Sequence, residues 1–235
     1  MKRLTLVMPY YDNPKMLEKH FENWKKYDEE VISKFEVILV DDGSPNYPAI
    51  NYIQKTKFPL QLFRIKENIP WNQHGAKNLG MAHTKKGWCL MTDIDHLLLN
   101  EDAKKIINYE WDKNLIYMPQ RVKYKSGKLH TRHPNTFLLT KKMFWKCGGY
   151  DEAFAGYYGT DAAFRRRLRK FTKIIETDAF KMVLFGKNDI PDASTTDFGR
   201  HGTKYKVGNN PKLKIRKKEA PEPIPPLNFN WEKLI

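Results

Sequence analysis

Apolar residues in this chain gather into short runs separated by polar turns, with stretches of helical spacing between them. Leu4 to Met8 is a β-type run ended by Pro9, and Phe35 to Val40 (FEVILV) is a nearly continuous apolar run. Such a run predicts a strand covered on both faces, as in a parallel sheet. Pro59 to Ile65 (PLQLFRI), Gly87 to Thr92 (GWCLMT), Leu115 to Pro119 and Thr136 to Thr140 read as further strands. Between them, Lys15 to Tyr27 carries Met16, Leu17, Phe21 and Trp24 at helical spacing. His74 to His83, Asp102 to Trp111, Lys141 to Cys147 and Asp161 to Lys170 are the other helical candidates. Strands alternating with helices predict βαβ units and a largely parallel sheet flanked by helices, an α/β fold.

The 235 residues suit one domain. Residues 1–208 are expected to form it, in two halves, 1–100 and 101–208. The tail, 209–235, combines Lys212, Lys214, Arg216, Lys217 and Lys218 with a Pro-rich stretch. It is expected to be irregular, or an arm packed on the outside by Phe229 and Trp231. No run approaches the ~18 apolar residues of a membrane span, and Leu4 to Met8 is too short for a signal peptide. Cys89 and Cys147 make neither a disulfide framework nor a CxxC site, so a reducing compartment is the default. The expectation is a cytoplasmic protein, soluble or peripheral to a membrane. The 42 Lys and Arg against 27 Asp and Glu give a net charge of +15. That excess suits an anionic partner (nucleic acid, an acidic glycan or an anionic membrane surface) as well as mere solubility.

Two acidic clusters end predicted strands: Asp41-Asp42 and the DxD triplet Asp93-Ile94-Asp95. In open α/β sheets ligands bind in the crevice beyond the strand ends, so both clusters are candidates for one site. Paired carboxylates there suit Mg²⁺ or Mn²⁺, hard cations that bridge protein oxygens to substrate phosphates. Each cluster also has a plainer reading, as a capping turn.

The pieces VMPYYDN (7–13), ILVDDGS (38–44), HGAKNLGMAHTKKGWCLMTDID (74–95), LLTKKMFWKCGGYDEAFAGYYGTDAAFRRRL (138–168) and GRHG (199–202) occur in that order. In them the chain resembles family 2 glycosyltransferases of the GT-A (Rossmann-like) fold, and in its second half the family 7 galactosyltransferase type. The resemblance implies a metal-dependent, inverting transfer of a hexose from a UDP-sugar, with 1–100 as the nucleotide-sugar-binding half and 101–208 as the acceptor and catalytic half. It places Pro9 and Tyr11 at the uracil and Asp42, with Asp41, at the base or ribose. Lys77-Asn78, where the family has Arg-Asn, would contact the donor. Asp93 would bind the donor ribose or sugar and share the metal with Asp95 and the late His201. Asp161 would be the general base, with Tyr157, Tyr158, Gly159 and Thr160 at the acceptor. Thr160 departs from the acidic residue the family often has before the base. His96, directly after the DxD, is a rival metal ligand.

Residue chemistry gives Asp161 two readings. A pocket carboxylate suits removal of the acceptor proton, and a helix N-terminus would keep it ionised; it could equally be an N-cap. The acceptor is expected to be a glycan or glycolipid. The alternative is a hydroxymethylated pyrimidine in DNA, with phosphates met by the strip Arg121 to Lys128 and by Arg132 and His133. A non-catalytic nucleotide-sugar or nucleic-acid binding module is the reading from a different class, and a nucleotidyltransferase a weaker one.

Overall fold

In a strand, successive side chains point to opposite faces, so an unbroken apolar run fills two layers at once. The computed structural model, which describes residues 3–157, 159–194, 209–223 and 226–235, shows this in its central strands. β1 (Leu4–Tyr10) sends Leu4, Leu6, Met8 and Tyr10 to one face, while Val7 enters a separate apolar cluster. β2 (Phe35–Asp41) splits likewise, with Phe35, Val37 and Leu39 opposed to Ile38 and Val40. The first face packs against α1 (Pro14–Trp24) through Met16, Leu17, Phe21 and Trp24. The short α2 (Glu29–Ile32) leads back into β2. The other face receives Ala76 and Leu79 of α3 (Gln73–His83), which follows β3 (Leu60–Ile65). Gly80 lets α3 approach: a Cβ there would lie 2.5 Å from Val7 Cγ1.

β3, β2, β1 and β4 (Trp88–Met91) are mutually parallel. Beyond β4 the sheet is mixed. After β5 (His96–Leu97) and α4 (Asn100–Asn108) come β6 (Ile116–Lys123), β7 (Leu129–His130) and β8 (Phe137–Thr140). α5 (Lys141–Lys146), α6 (Asp161–Phe171) and β9 (Ile174–Leu184) follow. β8 runs antiparallel to both β4 and β6, and β9 pairs parallel to β6 with a register shift at Pro119/Gln120. The expectation of a largely parallel sheet therefore holds for the first four strands and gives way beyond them. β9 has no counterpart in the sequence reading, because its charged exposed positions (Glu176, Asp178, Lys181) break the apolar run.

The tail differs from the irregular segment expected. It forms α7 (Pro211–Glu219) and β10 (Trp231–Lys233), which pairs antiparallel with β3 at the sheet edge. Trp231 packs on Phe63 and His83, so the packed arm is the version realised. The sheet order is β10-β3-β2-β1-β4-β8-β6-β9-β5, with β7 on β6. β1 also runs two residues past its predicted end. Pro9 is tolerated because β4 stops level with Val7, so its missing N–H faces no strand. Among the described residues no helix is long and apolar enough to cross a membrane.

Candidate active site

Parallel strands deliver their C-terminal ends to one edge, so the residues after β1, β2 and β4 share a mouth. A cavity of about 360 Å³ opens there, lined by Pro9, Tyr11, Asp42, Asp93, Asp95 and Asp161 among others. Of the candidates named from sequence, these six meet across more than 150 residues of chain. The loop walls are tied down. Asp192 caps α1 by accepting from Lys15 and Met16 N–H, and the Asn13 amide donates to Asp192 O. Asp12, at φ 51°, accepts from the Asn46 and Tyr47 N–H groups.

The acidic residues divide by role. Asp41 is fully buried, and its carboxylate accepts from Ser44 and Ala49 N–H and pairs with Arg64 at 3.4 Å. Here the capping-turn reading describes its contacts, and only Asp42 reaches the cavity. Asp93 Oδ1 lies 2.5 Å from Lys77 Nζ, a fully buried ammonium that also sits 5.6 Å from the Tyr150 ring centroid. Lys77 thus reaches the cavity through Asp93. Asn78 does not line it: its side chain bonds Tyr150 O, Tyr150 N–H and Glu152, fixing the turn after Gly149. Asp95 Oδ1 is 2.6 Å from His96 Nδ1, and His96 Nε2 is 3.2 Å from Arg121 Nη1. Neither aspartate of the triplet caps α4, whose N-cap position is Leu99.

Asp161 opens α6, but its carboxylate is no cap. It accepts from the Asn135 amide at 2.6 Å, and Asn135 Oδ1 in turn accepts from Tyr150 OH at 3.2 Å. Tyr150 is clamped between His74 and Phe164, with ring centroids 4.7 and 3.9 Å away. Burial raises the Asp161 pKa above the ordinary aspartate value, outweighing the Asn135 bond and the Lys77 charge that pull it down. Desolvation is the largest influence on this group. Thr160 is buried and its hydroxyl meets His74 Nε2 at 3.0 Å, while burial and then Lys77 push His74 down to about 3. Gly159 O accepts from Lys217, and Tyr157 OH accepts from Asn210 at 3.2 Å, so both face the tail. Tyr158 and His201 lie outside the described residues.

The sequence reading missed two members of the site, Asn135 and Trp71, and gave a third, His133, only to the basic strip. His133 points Nε2 to within 3.5 Å of Asp93 Oδ2, and burial and then the neighbouring His96 hold its pKa well below the ordinary value. Asn135 carries Asp161, and Trp71 lines the cavity. The cluster His133-Pro134-Asn135, polar and just ahead of an apolar strand, was the available signal. The chain therefore has a cleft of about 360 Å³ lined by four aspartates, though no cluster of three or more His, Cys, Asp or Glu that could hold a metal occurs among the described residues.

Solved structures share this arrangement of strands and helices. S. aureus TarS (residues 1–349) superposes with a TM-score of 0.63 at 14% identity, covering 81% of this chain and 63% of that one. The same protein in complex with UDP-GlcNAc gives 0.60 at 14%, covering 82% and 61%. A mannosyltransferase, PcManGT from Pyrobaculum calidifontis in complex with GDP-Man and Mn²⁺, gives 0.56 at 15%, covering 77% and 56%. The chain spans less than two thirds of each of these, and at such identities the likeness is one of fold. No curated protein matches in sequence. The profile described as Glycosyl transferase family 2 matches residues 5–188, which run from β1 past the end of β9 and hold the cavity's acidic residues, and the chain belongs to that family.

Proposed function

We propose that this chain transfers a hexose from a UDP-sugar to an acceptor hydroxyl, with inversion at the sugar. The observation that carries the reading is the meeting of Asp42, Asp93, Asp95 and Asp161 in one cleft, with Asp161 raised in pKa by burial. A base that is desolvated yet aimed by one amide suits removal of a hydroxyl proton near neutral pH. Asp161 takes that proton as the acceptor oxygen attacks, and Asn135 orients it. Pro9 and Tyr11 bound the nucleobase and Asp42 accepts from the base or ribose. Asp93, anchored by Lys77, holds the ribose or sugar. Tyr157, Gly159 and Thr160 border the acceptor side.

The residues fit a hard divalent cation, Mn²⁺ or Mg²⁺. Asp95 presents its carboxylate to the cavity, with Asp93 beside it. One or two carboxylates plus substrate phosphates is a set that such a cation accepts. When bound, it offsets charge developing on the diphosphate leaving group. His201 remains a proposed further ligand. TarS with UDP-GlcNAc and PcManGT with GDP-Man and Mn²⁺ lend support to donor and metal alike. The acceptor in this reading is a glycan or glycolipid. A DNA acceptor is the second reading, favoured by the cationic surface of α6 and α7.

Thermal unfolding with UDP, UDP-GlcNAc, UDP-glucose and GDP-mannose, with Mn²⁺ or EDTA, tests the donor site. A ligand at about 100 times its Kd stabilises by about 2.7 kcal/mol. The expected result is a metal-dependent shift with a uridine nucleotide that Asp95→Ala abolishes. No shift with any nucleotide overturns the reading. Metal-dependent release of UDP from the sugar without acceptor excludes a non-catalytic binding module.

A further inference from the structure

α6 and α7 pack against each other and carry ten cations, Arg165, Arg166, Arg167, Arg169 and Lys170 on one and Lys212, Lys214, Arg216, Lys217 and Lys218 on the other. The only acids on the two helices are Asp161 and Glu219. Arg167 is consumed by Cys147 O and Gly149 O, and Arg216 by Asp151 at 2.6 Å. The other eight form no ion pair with a carboxylate among the described residues. Their contacts are to carbonyls: Arg166 to Lys217 O, Lys170 to Glu219 O and Ala220 O, Lys217 to Gly159 O. Carbonyls leave the charge uncompensated. The Arg166 and Lys170 bonds tie α6 to the last turn of α7, but they need no more than two of the cations, and like charges side by side on a helix are destabilising.

The crowding is sharpest beside the cavity. Arg165 stands one turn from Asp161 on the same face of α6, and its buried Nε has no hydrogen-bond partner. Arg166 binds the residue whose ammonium holds Gly159, two positions before Asp161. Lys217 is pushed below the ordinary lysine value, by burial first and by Arg166 and Arg165 against the pull of Asp161. Arg169 continues the Arg165 row about 6 Å further along the helix. Arg165 and Arg169 thus form a row that leads outward from Asp161, which matches a chain of anions better than a single one. By contrast the expected strip near β6 and β7 is partly spent. Arg132 pairs with Glu176 and Asp178, Arg121 bonds His96, and Lys125 pairs with Asp189 at 3.4 Å.

We propose that Arg165, Arg166 and Lys217 form a phosphate subsite beside Asp161, and that the acceptor is a phosphodiester-linked polymer whose backbone continues over Arg169, Lys214 and Lys218. The proposal rests on the reading of Asp161 as the base that activates the acceptor, and for the acceptor itself it takes the polyanionic class of the second reading in place of a neutral glycan or glycolipid.

A labelled 12-nucleotide oligothymidylate, which offers phosphodiesters with little base readout, is the probe. Its affinity for the full chain is measured by anisotropy from about 50 to 300 mM NaCl. For single strands the slope of log K against log salt falls by about 0.7 for each phosphate contact removed. Arg165→Gln and Lys217→Ala are each expected to flatten the wild-type slope by about that amount, and Lys123→Ala, on the far strip, to leave it unchanged. Because Lys217→Ala also frees Gly159, Arg165→Gln carries the decision. No binding at about 50 mM salt, a slope unchanged in Arg165→Gln, or binding only to phosphatidylglycerol vesicles overturns the proposal. The UDP-induced thermal shift, measured on the same variants, reports the donor site separately, so failure of one reading is told from failure of the other.

Discussion

Asn135→Ala should separate the base from its support. In the structure the Asn135 amide does two things at once: it donates to Asp161 Oδ1 at 2.6 Å and accepts from the buried Tyr150 hydroxyl at 3.2 Å. Losing a hydrogen bond to a charged group costs about 1.5–3 kcal/mol, and an orphaned buried hydroxyl about 1–3 kcal/mol. At neutral pH the variant should therefore lose at least about 2.5 kcal/mol of stability in urea. The pH dependence identifies the charged share. Asp161 is already raised in the fold, so its ionised form is disfavoured there and stability falls as pH rises from its unfolded value through its folded one. The Asn135 bond relieves part of that penalty only while Asp161 is ionised. Once pH drops below the folded value, only a neutral bond of about 0.5–1.5 kcal/mol is at stake. The loss on Asn135→Ala should thus shrink by about 1 kcal/mol from neutral to acid pH, and a Tyr150→Phe background should cancel the hydroxyl share. The acid limb of donor hydrolysis should move to higher pH in the variant. An equal loss at both pH values, with an unmoved limb, would refute the pairing of Asn135 with an ionisable Asp161 base.

Asp161→Asn should lower transfer or hydrolysis by about 10²–10⁴-fold while leaving the UDP-induced thermal shift intact; loss of both together would place it in the donor site. Lys77→Met removes the ammonium that meets Asp93 at 2.5 Å. Breaking a buried pair from one side costs about 3–5 kcal/mol, less here because Asp93 is partly open to water, and urea midpoints of this variant and of Asp93→Asn should both fall. Ending the chain at Pro226 strips the Leu227 and Asn228 N–H groups from the buried Glu152 carboxylate and removes β10. It should cost at least about 3 kcal/mol, at about 1.5 kcal/mol or more for each bond to the charge; an unchanged melting temperature would mean that the strap is ornamental to the fold.

The central fold was legible because local rules settle it. A run as short and as rich in β-branched residues as FEVILV reads as a strand covered on both sides, and helical spacing at Met16, Leu17, Phe21 and Trp24 leaves one face to bury. Parallel strands then align their ends, which is why the run-and-turn pattern suffices to assign Asp42, Asp93 and Asp95 to one edge. Tertiary structure decided what each group faces. Asp41 and Asp42 are neighbours in sequence, yet alternation turns one into a buried cap and the other into the cavity. Lys77, His133 and Asn135 gained their partners from contacts across 16, 40 and 26 residues, respectively. β9 and the tail were hidden for a similar reason: a half-exposed strand and a basic helix take their place from the surfaces they cover, which no local pattern records. The basicity of Asp161 belongs to the same class, since it follows from how much water its neighbours exclude, and only the packed chain fixes that.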